Sequence, residues 1–188
     1  WCRTRLDLYA NIRPSAVRAG VPAHVPAMDL VIVRENTEGF YADRNMAWGS
    51  GEFMPTEDVA LAVGKATRVG CRRVVTTNMF GDILSDEAAE LAGGLGLASS
   101  LNAGDEHAGA QAAHGSAPDI AGKDIANPAA ILHSTAMLLE HLGARRSDNG
   151  LAAAAQCLVS ATDAVLSNDA TRTPDLGGTG GTQAFGDA

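Results

Sequence analysis

The 188-residue sequence predicts an α/β protein built on a mixed sheet flanked by helices. Two short runs, Asp29-Leu-Val-Ile-Val33 and Val74-Val75-Thr76-Thr77, are apolar or β-branched and too brief for helices, which reads as buried strands. Other stretches carry helical spacing and helix-start chemistry. The two kinds alternate along the chain, which is the pattern of layered α/β proteins.

In chain order, residues 1–12 read as a helix that closes before Pro14, because the residue ahead of a proline is pushed out of the helical region. Residues 15–28 contain Gly20, Pro22 and Pro26 and read as a loop. The first strand follows at 29–33, and the polar, glycine-containing stretch 34–55 reads as loop or hairpin. Thr56-Glu57-Asp58 opens a helix with a capping hydroxyl and acids in the first turn. Gly64 weakens it by about 1 kcal/mol relative to alanine, and it stops at Gly70. The second strand lies at 74–77, a helix at 82–92, and a run of glycine and small residues at 93–104. Asn127-Pro128 starts a helix that reaches His141 and ends at Gly143, with asparagine as cap and proline first. Leu151 to Leu166 is a further helix, and the tail 175–188 is glycine-rich. There is no internal repeat and no low-complexity linker.

Composition bounds the function. Hydrophobic residues make up 46% and charged residues 19%, enough for a packed core. A formal net charge of -8 excludes a nucleic-acid binder that works through a basic surface. No apolar stretch has the length to span a bilayer. Cys2, Cys71 and Cys157 are scattered and odd in number, which argues against a disulfide framework or zinc site and for a reducing cytoplasm. The chain opens at Trp1, inside the expected first helix, so the start of a longer protein is expected to be missing.

Several residues have the chemistry of a site. Asp82 and Asp86 stand four apart at an expected helix start, which places both carboxylates on one face. Their repulsion needs an offset, either the helix N-terminus or a divalent cation such as magnesium or manganese. A solvated acidic first turn would look the same. Arg13 is read at a helix end and Arg34 just past a strand, where α/β proteins bind ligands; guanidinium forks match carboxylates. Arg3 lies ten residues before Arg13, nearly three helical turns, and so on about the same face. Tyr41, in Glu38-Gly39-Phe40-Tyr41, is a proton donor if a cation lowers its pKa, and otherwise a packing aromatic. His114-Gly-Ser-Ala-Pro-Asp119 is a small-residue loop that lets a ligand approach the backbone. Its carboxylate suits the two ribose hydroxyls of NAD and opposes a 2′-phosphate; an ordinary turn is the other reading. No G-x-G-x-x-G opens a helix, and Gly177-Gly-Thr-Gly-Gly181 follows no strand, so it reads as turn chemistry.

Together the segments LDLYANIRP (6–14), DLVIVRENTEGFY (29–41), VVTTNMFGDILSDEAAELAGGLGL (74–97), HGSAPDIAGKDIANP (114–128) and DLGGTGGT (175–182) resemble the isocitrate and isopropylmalate dehydrogenases, a β-decarboxylating family, and most of all its tartrate- and D-malate-type members. They span nearly the whole chain in the family's order. The resemblance implies an incomplete two-domain fold of isopropylmalate-dehydrogenase type. Residues 9–92 would form the substrate, metal and dimerisation domain; residues 1–8 with 93–188 would form the cofactor domain. It implies that Arg3, Arg13 and Arg34 hold substrate carboxylates, that Tyr41 protonates the enolate, and that Asp82 and Asp86 bind Mg2+ or Mn2+. It implies that His114, Gly115, Ser116, Ala117, Asp119 and Asn127 hold the adenosine half of NAD. The expected partners are a small 2-hydroxy acid (D-malate, tartrate or 3-isopropylmalate) and either a second copy of the chain or a complete paralogue, with no nucleic acid and no membrane. All these groups are expected to meet in one cleft.

The departures from the family pattern are as specific. Arg68-Val69-Gly70 runs straight into Cys71-Arg72-Arg73, where the family has a long segment bearing the catalytic lysine and a further metal aspartate. Only Lys65 and Lys123 exist, and neither stands in that motif. Nothing matches the family's opening strand and glycine turn, and Gln111 stands where many members have a glutamate. In the family the lysine and its aspartate reach across from the other subunit, so two copies of this chain could not supply them. The expectation is an internally shortened, N-terminally truncated enzyme with impaired turnover, or a non-catalytic partner subunit.

Overall fold

A computed structural model describes residues 2–37 and 73–188. The helix expected at 56–70, the 70/71 junction and Tyr41 lie outside the described residues.

Five strands form one sheet in the order β3-β2-β1-β4-β5: β1 Ala10–Ala16, β2 Asp29–Glu35, β3 Arg73–Thr76, β4 Ser99–Ala103 and β5 Ala108–Ala112. The pair β2–β3 is parallel and the other three pairs are antiparallel, so the sheet is mixed, as expected. The helices are α1 (Cys2–Arg5), α2 (Asn78–Ala92), α3 (Ala129–Arg146), α4 (Asn149–Leu166) and α5 (Thr182–Asp187). Single 3-10 turns lie at Leu95–Leu97, Pro118–Ile120 and Pro174–Leu176.

The first element corrects the sequence reading. Residues 1–12 are not one helix: α1 is a single turn, and Ala10–Ala16 is a strand that carries Pro14. Proline has no N–H to give a ladder, and it fits here because the β4 ladder covers only Ala10 to Ile12 and has ended before residue 14. Arg13 therefore sits mid-strand, and the helical spacing of Arg3 and Arg13 does not exist. The strand escaped notice because its inward face is polar: Asn11, Arg13 and Ser15 are buried while Ala10 and Ile12 are only half-buried.

β4 and β5 were not expected either: Ser99–Ala103 falls in the run read only as small residues, and Ala108–Ala112 lacks the apolar, β-branched signature of a strand; the other shifts are smaller. β2 extends through Arg34 and Glu35, and α2 opens at Asn78, four residues before Asp82. α3 passes through Gly143 to Arg146 rather than stopping there. A side chain at Gly143 would meet the Asp148 carbonyl at 3.0 Å and Ala152 N at 3.1 Å, so this glycine permits the close approach of α4 and does not end a helix. α3 opens one residue later than expected, with Pro128 at the N-cap position, and Asn127 Oδ1 accepts from Ala129 N at 2.9 Å just ahead of it. The Asp148 carboxylate accepts from Gly150 N and Leu151 N and caps α4.

α2 lies over the sheet face that presents Arg13 and Arg34. α3 and α4 lie on the other, where Pro14 and Ser99 share a cavity with His133, Ala136 and Ala155. The main apolar cluster joins Val21, Leu97, Ala129, Leu166, Leu176 and Phe185, tying both ends of the chain to α3 and α4. The glycine-rich tail is turn chemistry: a Cβ at Gly178 would lie 2.0 Å from the Arg172 carbonyl, so only glycine lets the tail fold back there.

His133 on α3 is buried; its Nε2 has no hydrogen-bond partner and lies 3.6 Å from Asp163 Oδ1, a carboxylate already paired with Arg18. Burial first, and Arg18 second, push its pKa down from 6.5 to about 4. The fold therefore favours neutral His133, a contribution complete above pH 6.5 and lost as the pH falls towards 4. Relative to His133→Gln, the wild type is expected to lose up to about 3 kcal/mol of unfolding free energy across that window. Urea denaturation of both proteins from pH 7 to pH 4 measures this, and parallel curves would contradict it.

Candidate functional site

Alternation along β1 and β2 puts Arg13 and Arg34 on the face beneath α2, whose spacing of four turns Asp82 and Asp86 towards them. Both arginines are at most 5% exposed, so their charges need partners. Arg13 Nη1 lies 3.1 Å from Asp82 Oδ1 and 3.3 Å from Asp86 Oδ1, and donates to Ser85 Oγ at 2.7 Å. Arg34 Nη1 donates to Asp82 Oδ1, while its Nε and Nη2 donate to Asn78 Oδ1 at 3.1 and 2.6 Å. Guanidinium groups, not the helix N-terminus, offset the acid pair, because Asp82 falls in the second turn of α2. Arg3 on α1 is close enough for its pKa to be lowered, first by burial and then by the Arg13 charge, against the pull of Asp82. Burial raises the Asp86 pKa despite Arg13, with Asp82 adding to the rise.

The arginines are enclosed while the acids are wet: the side chains of Asp82 and Asp86 are 36% and 53% exposed. The carboxylates can therefore take a solvent-borne partner without the arginines moving. Two oxygen-bearing side chains with room for water suit magnesium or manganese, which bind through one or two carboxylates and keep several waters. Among the described residues no group of three or more His, Cys, Asp or Glu gathers, and these contribute two acids to such a site.

The loop after β5 forms a second feature. His114, Gly115, Ser116, Ala117 and Asn127 line a cavity of about 820 Å³ together with Ile120, Ile125, Asp124, Asp175 and Thr182. That is the size of small-ligand and cofactor pockets. Ala117 adopts a left-handed conformation that turns the loop into the 3-10 turn, and Asn127 Nδ2 donates to Asp175 Oδ2 at 3.0 Å. Asp119 is exposed on that turn and is not among the lining residues. The cavity lining contains none of Arg3, Arg13, Arg34, Asp82 or Asp86.

Sequence reasoning missed Asn11, Asn78 and Ser85 around the arginines, and Asp124, Asp175 and Thr182 around the cavity. Asn78 was legible, standing one helical turn before Asp82; Asn11 was legible only to a reader who saw the strand.

A mixed sheet with arginines and carboxylates on one face and a small-residue loop around a cofactor-sized cavity defines an α/β enzyme for small ligands. The family model for isocitrate/isopropylmalate dehydrogenase matches in two stretches, residues 2–76 and 67–188. The isocitrate/homoisocitrate dehydrogenase of Thermus thermophilus is 38% identical over 250 positions, covering all of this chain and 72% of the relative. The 3-isopropylmalate dehydrogenase of Methanothermobacter thermautotrophicus is 34% identical, covering 96% of this chain and 71% of its own. The crystal structure of isocitrate dehydrogenase from Methylococcus capsulatus superposes with a TM-score of 0.76 at 30% identity, over 97% of this chain and 72% of that one. The chain belongs to the isocitrate/isopropylmalate dehydrogenase family, whose members are oxidative decarboxylating dehydrogenases. An alignment of 250 positions on a chain of 188 residues leaves a long stretch of the Thermus relative without a counterpart, and the two family-model matches meet at 67–76.

Gly81 lets α2 rest on the arginine. A Cβ there would lie 2.7 Å from Arg34 Cγ and 2.8 Å from Thr76 Cγ2. Gly81→Ala is expected to destabilise the fold by about 1–3 kcal/mol through overpacking and to displace the Arg34 side chain. Urea unfolding, with the Arg34 Nε–H resonance as local reporter, checks both; an unchanged midpoint and resonance would show that the helix sits less tightly.

Proposed function

We propose that this chain carries the substrate and cofactor groups of an NAD- and divalent-metal-dependent enzyme for oxidative decarboxylation of a small 2-hydroxy acid, of D-malate, tartrate or 3-isopropylmalate type, with turnover impaired by the shortened 70/71 region. The observation that carries this reading is the convergence of Arg13 and Arg34, with Arg3 beside them, on Asp82 and Asp86 in a chain of this family.

In this reading the arginines orient the substrate carboxylates through bidentate hydrogen bonds. Asp82 and Asp86 hold Mg2+ or Mn2+, which when bound polarises the substrate hydroxyl and the ketone that follows. The cavity at 114–127 would take the adenosine of NAD, its small residues and the apolar Ile120 and Ile125 suiting a flat base, and Asp119, outside the lining, would oppose a 2′-phosphate. Tyr41 supplies the closing proton. Residues 9–92 form the substrate, metal and dimer part, and residues 1–8 with 93–188 the cofactor part. The missing alignment stretch at the 67–76 overlap supports loss of the family's lysine segment. Without a general base of that kind, a rate loss of about 10²–10⁴ is expected.

A second reading, a non-catalytic partner of a complete subunit, is favoured by α2. Met79, Phe80, Ile83, Leu84 and Leu91 stand 38–56% exposed at helical spacing, an apolar stripe suited to another subunit.

The test is NADH formation from D-malate, tartrate and 3-isopropylmalate with Mn2+, alongside NAD binding by calorimetry. NAD binding with turnover about a hundredfold or more below complete family members is the expected result. Turnover near that of complete members would refute the impairment, and absence of NAD binding would refute the cofactor reading. Co-purification with a complete paralogue, at a rate set by the paralogue alone, would decide for the second reading.

A further inference from the structure

We infer that Asn11 is a positioning residue for Arg13, held in one orientation by a buried line of amides that runs from a backbone carbonyl of β5 through Asn102 to Asn11 and ends on the guanidinium. The inference deepens the reading of Arg13 as a carboxylate holder and rests on it for its purpose; the hydrogen-bonded line stands without it.

The line begins at Gly109 on β5, whose carbonyl accepts from Asn102 Nδ2 at 3.2 Å. Asn102 Oδ1 on β4 accepts from Asn11 Nδ2 at 3.0 Å and from Asn36 Nδ2 at 3.0 Å. Asn36, just past β2, also donates to the Leu8 carbonyl at 2.8 Å. Asn11 Oδ1 then accepts from Arg13 Nε at 2.6 Å. Asn11 is fully buried, and Asn36, Asn102 and Arg13 are at most 5% exposed. The ladder sets Asn11 directly opposite Asn102 on one side and Arg34 on the other, and opposed residues share a face.

The direction of every bond is forced. A backbone carbonyl only accepts, so Asn102 turns its NH2 to Gly109 and its oxygen to Asn11. Asn11 answers with its own NH2, which leaves its oxygen for Arg13, and Nε–H can only donate. Flipping either amide would set donor against donor. The orientation of Asn11 is thus fixed two strands away, and with Nε held the guanidinium plane is held, aiming Nη1 at Ser85, Asp82 and Asp86. Arg34 shows the same device, its Nε accepted by Asn78. A sheet face that only filled space would be apolar; dry amides are costly unless bonded, and along the line itself the Asn102 and Asn11 oxygens both accept, while Asn36 Oδ1 beside it has no partner.

The test uses the whole chain labelled with 15N-arginine, reading water exchange at the Arg13 Nε–H, with the peak assigned by Arg13→Lys and Arg34 as internal control. Asn11→Leu is expected to speed exchange at Arg13 about tenfold or more, the worth of a hydrogen bond to a charged group, while Arg34 stays within twofold. Asn11→Asp, which keeps the acceptor but loses the donor to Asn102, is expected to preserve protection. Should Asn11→Leu not fold, Asn102→Leu and Asn102→Asp carry the test: the first must loosen Arg13, and the second, which still accepts from Asn11, must not. Equal protection in the Leu and Asp variants, or equal loosening of Arg13 and Arg34, would overturn the inference. A parallel D-malate titration separates the two readings. If wild type does not bind D-malate, the carboxylate role of Arg13 fails while the exchange data still judge the relay; if it binds, Asn11→Leu is expected to weaken it about fivefold or more.

Discussion

The structure depends on two buried guanidinium groups that must be neutralised where they stand. Arg13 and Arg34 are enclosed between the sheet and α2, and a charge so placed is tolerable only with partners at hydrogen-bond distance. That requirement fixes the register of β1 against β2, the seating of α2 over both strands and the use of glycine at 81. Removing a partner from such a pair costs about 3–5 kcal/mol, whereas replacing the whole set with apolar side chains costs little or nothing. Stability alone does not explain keeping the charges. Their retention fits a site that holds anions, as does the contrast between dry arginines and wet carboxylates.

The two halves of the molecule are stabilised differently. On the side of α3 and α4, the cluster around Leu166, Phe185 and Leu97 is conventional apolar packing, aided by alanines that let helices approach closely. Beneath α2 the packing is amide, hydroxyl and guanidinium, with hydrogen bonds largely in place of apolar contact. Rigid donors are what a positioned substrate requires, and they are supplied by strands, which hold side chains more closely than loops do. The loop at 114–119 answers a different need. Its small residues, left-handed Ala117 among them, line a cavity.

The chain belongs to the decarboxylating dehydrogenase family, and its cavity and arginine cluster share no lining residue. The relatives that match are dehydrogenases named for isocitrate, homoisocitrate and isopropylmalate. The alignment with the Thermus relative runs to 250 positions against the 188 residues of this chain, and the two family-model matches overlap at 67–76. No helix among the described residues is long and apolar enough to cross a membrane.

Several elements were legible from the sequence because their signals are local. The helix start next to Asn127-Pro128, the apolar strand at 29–33 and the four-residue spacing of Asp82 and Asp86 depend on neighbours a turn or two away, so reading them needs no knowledge of the fold. The family motifs were legible because they pack many specific residues into short segments. The strand at 10–16 was not, because its buried side is Asn11, Arg13 and Ser15, and burial of polar groups is decided by partners on β2, β4 and α2, distant in sequence. Nor could spacing show that guanidinium groups neutralise the acid pair, that Asp119 stands outside the cavity lining while Asp124 and Asp175 line it, or that Gly143 sits within a helix. Sequence by itself determined which segments are helix or strand wherever apolar patterning and caps speak, and which family the residues resemble. Tertiary structure alone decided which polar groups are buried together, because the free energy of a dry hydrogen bond or ion pair belongs to the pair and not to either residue.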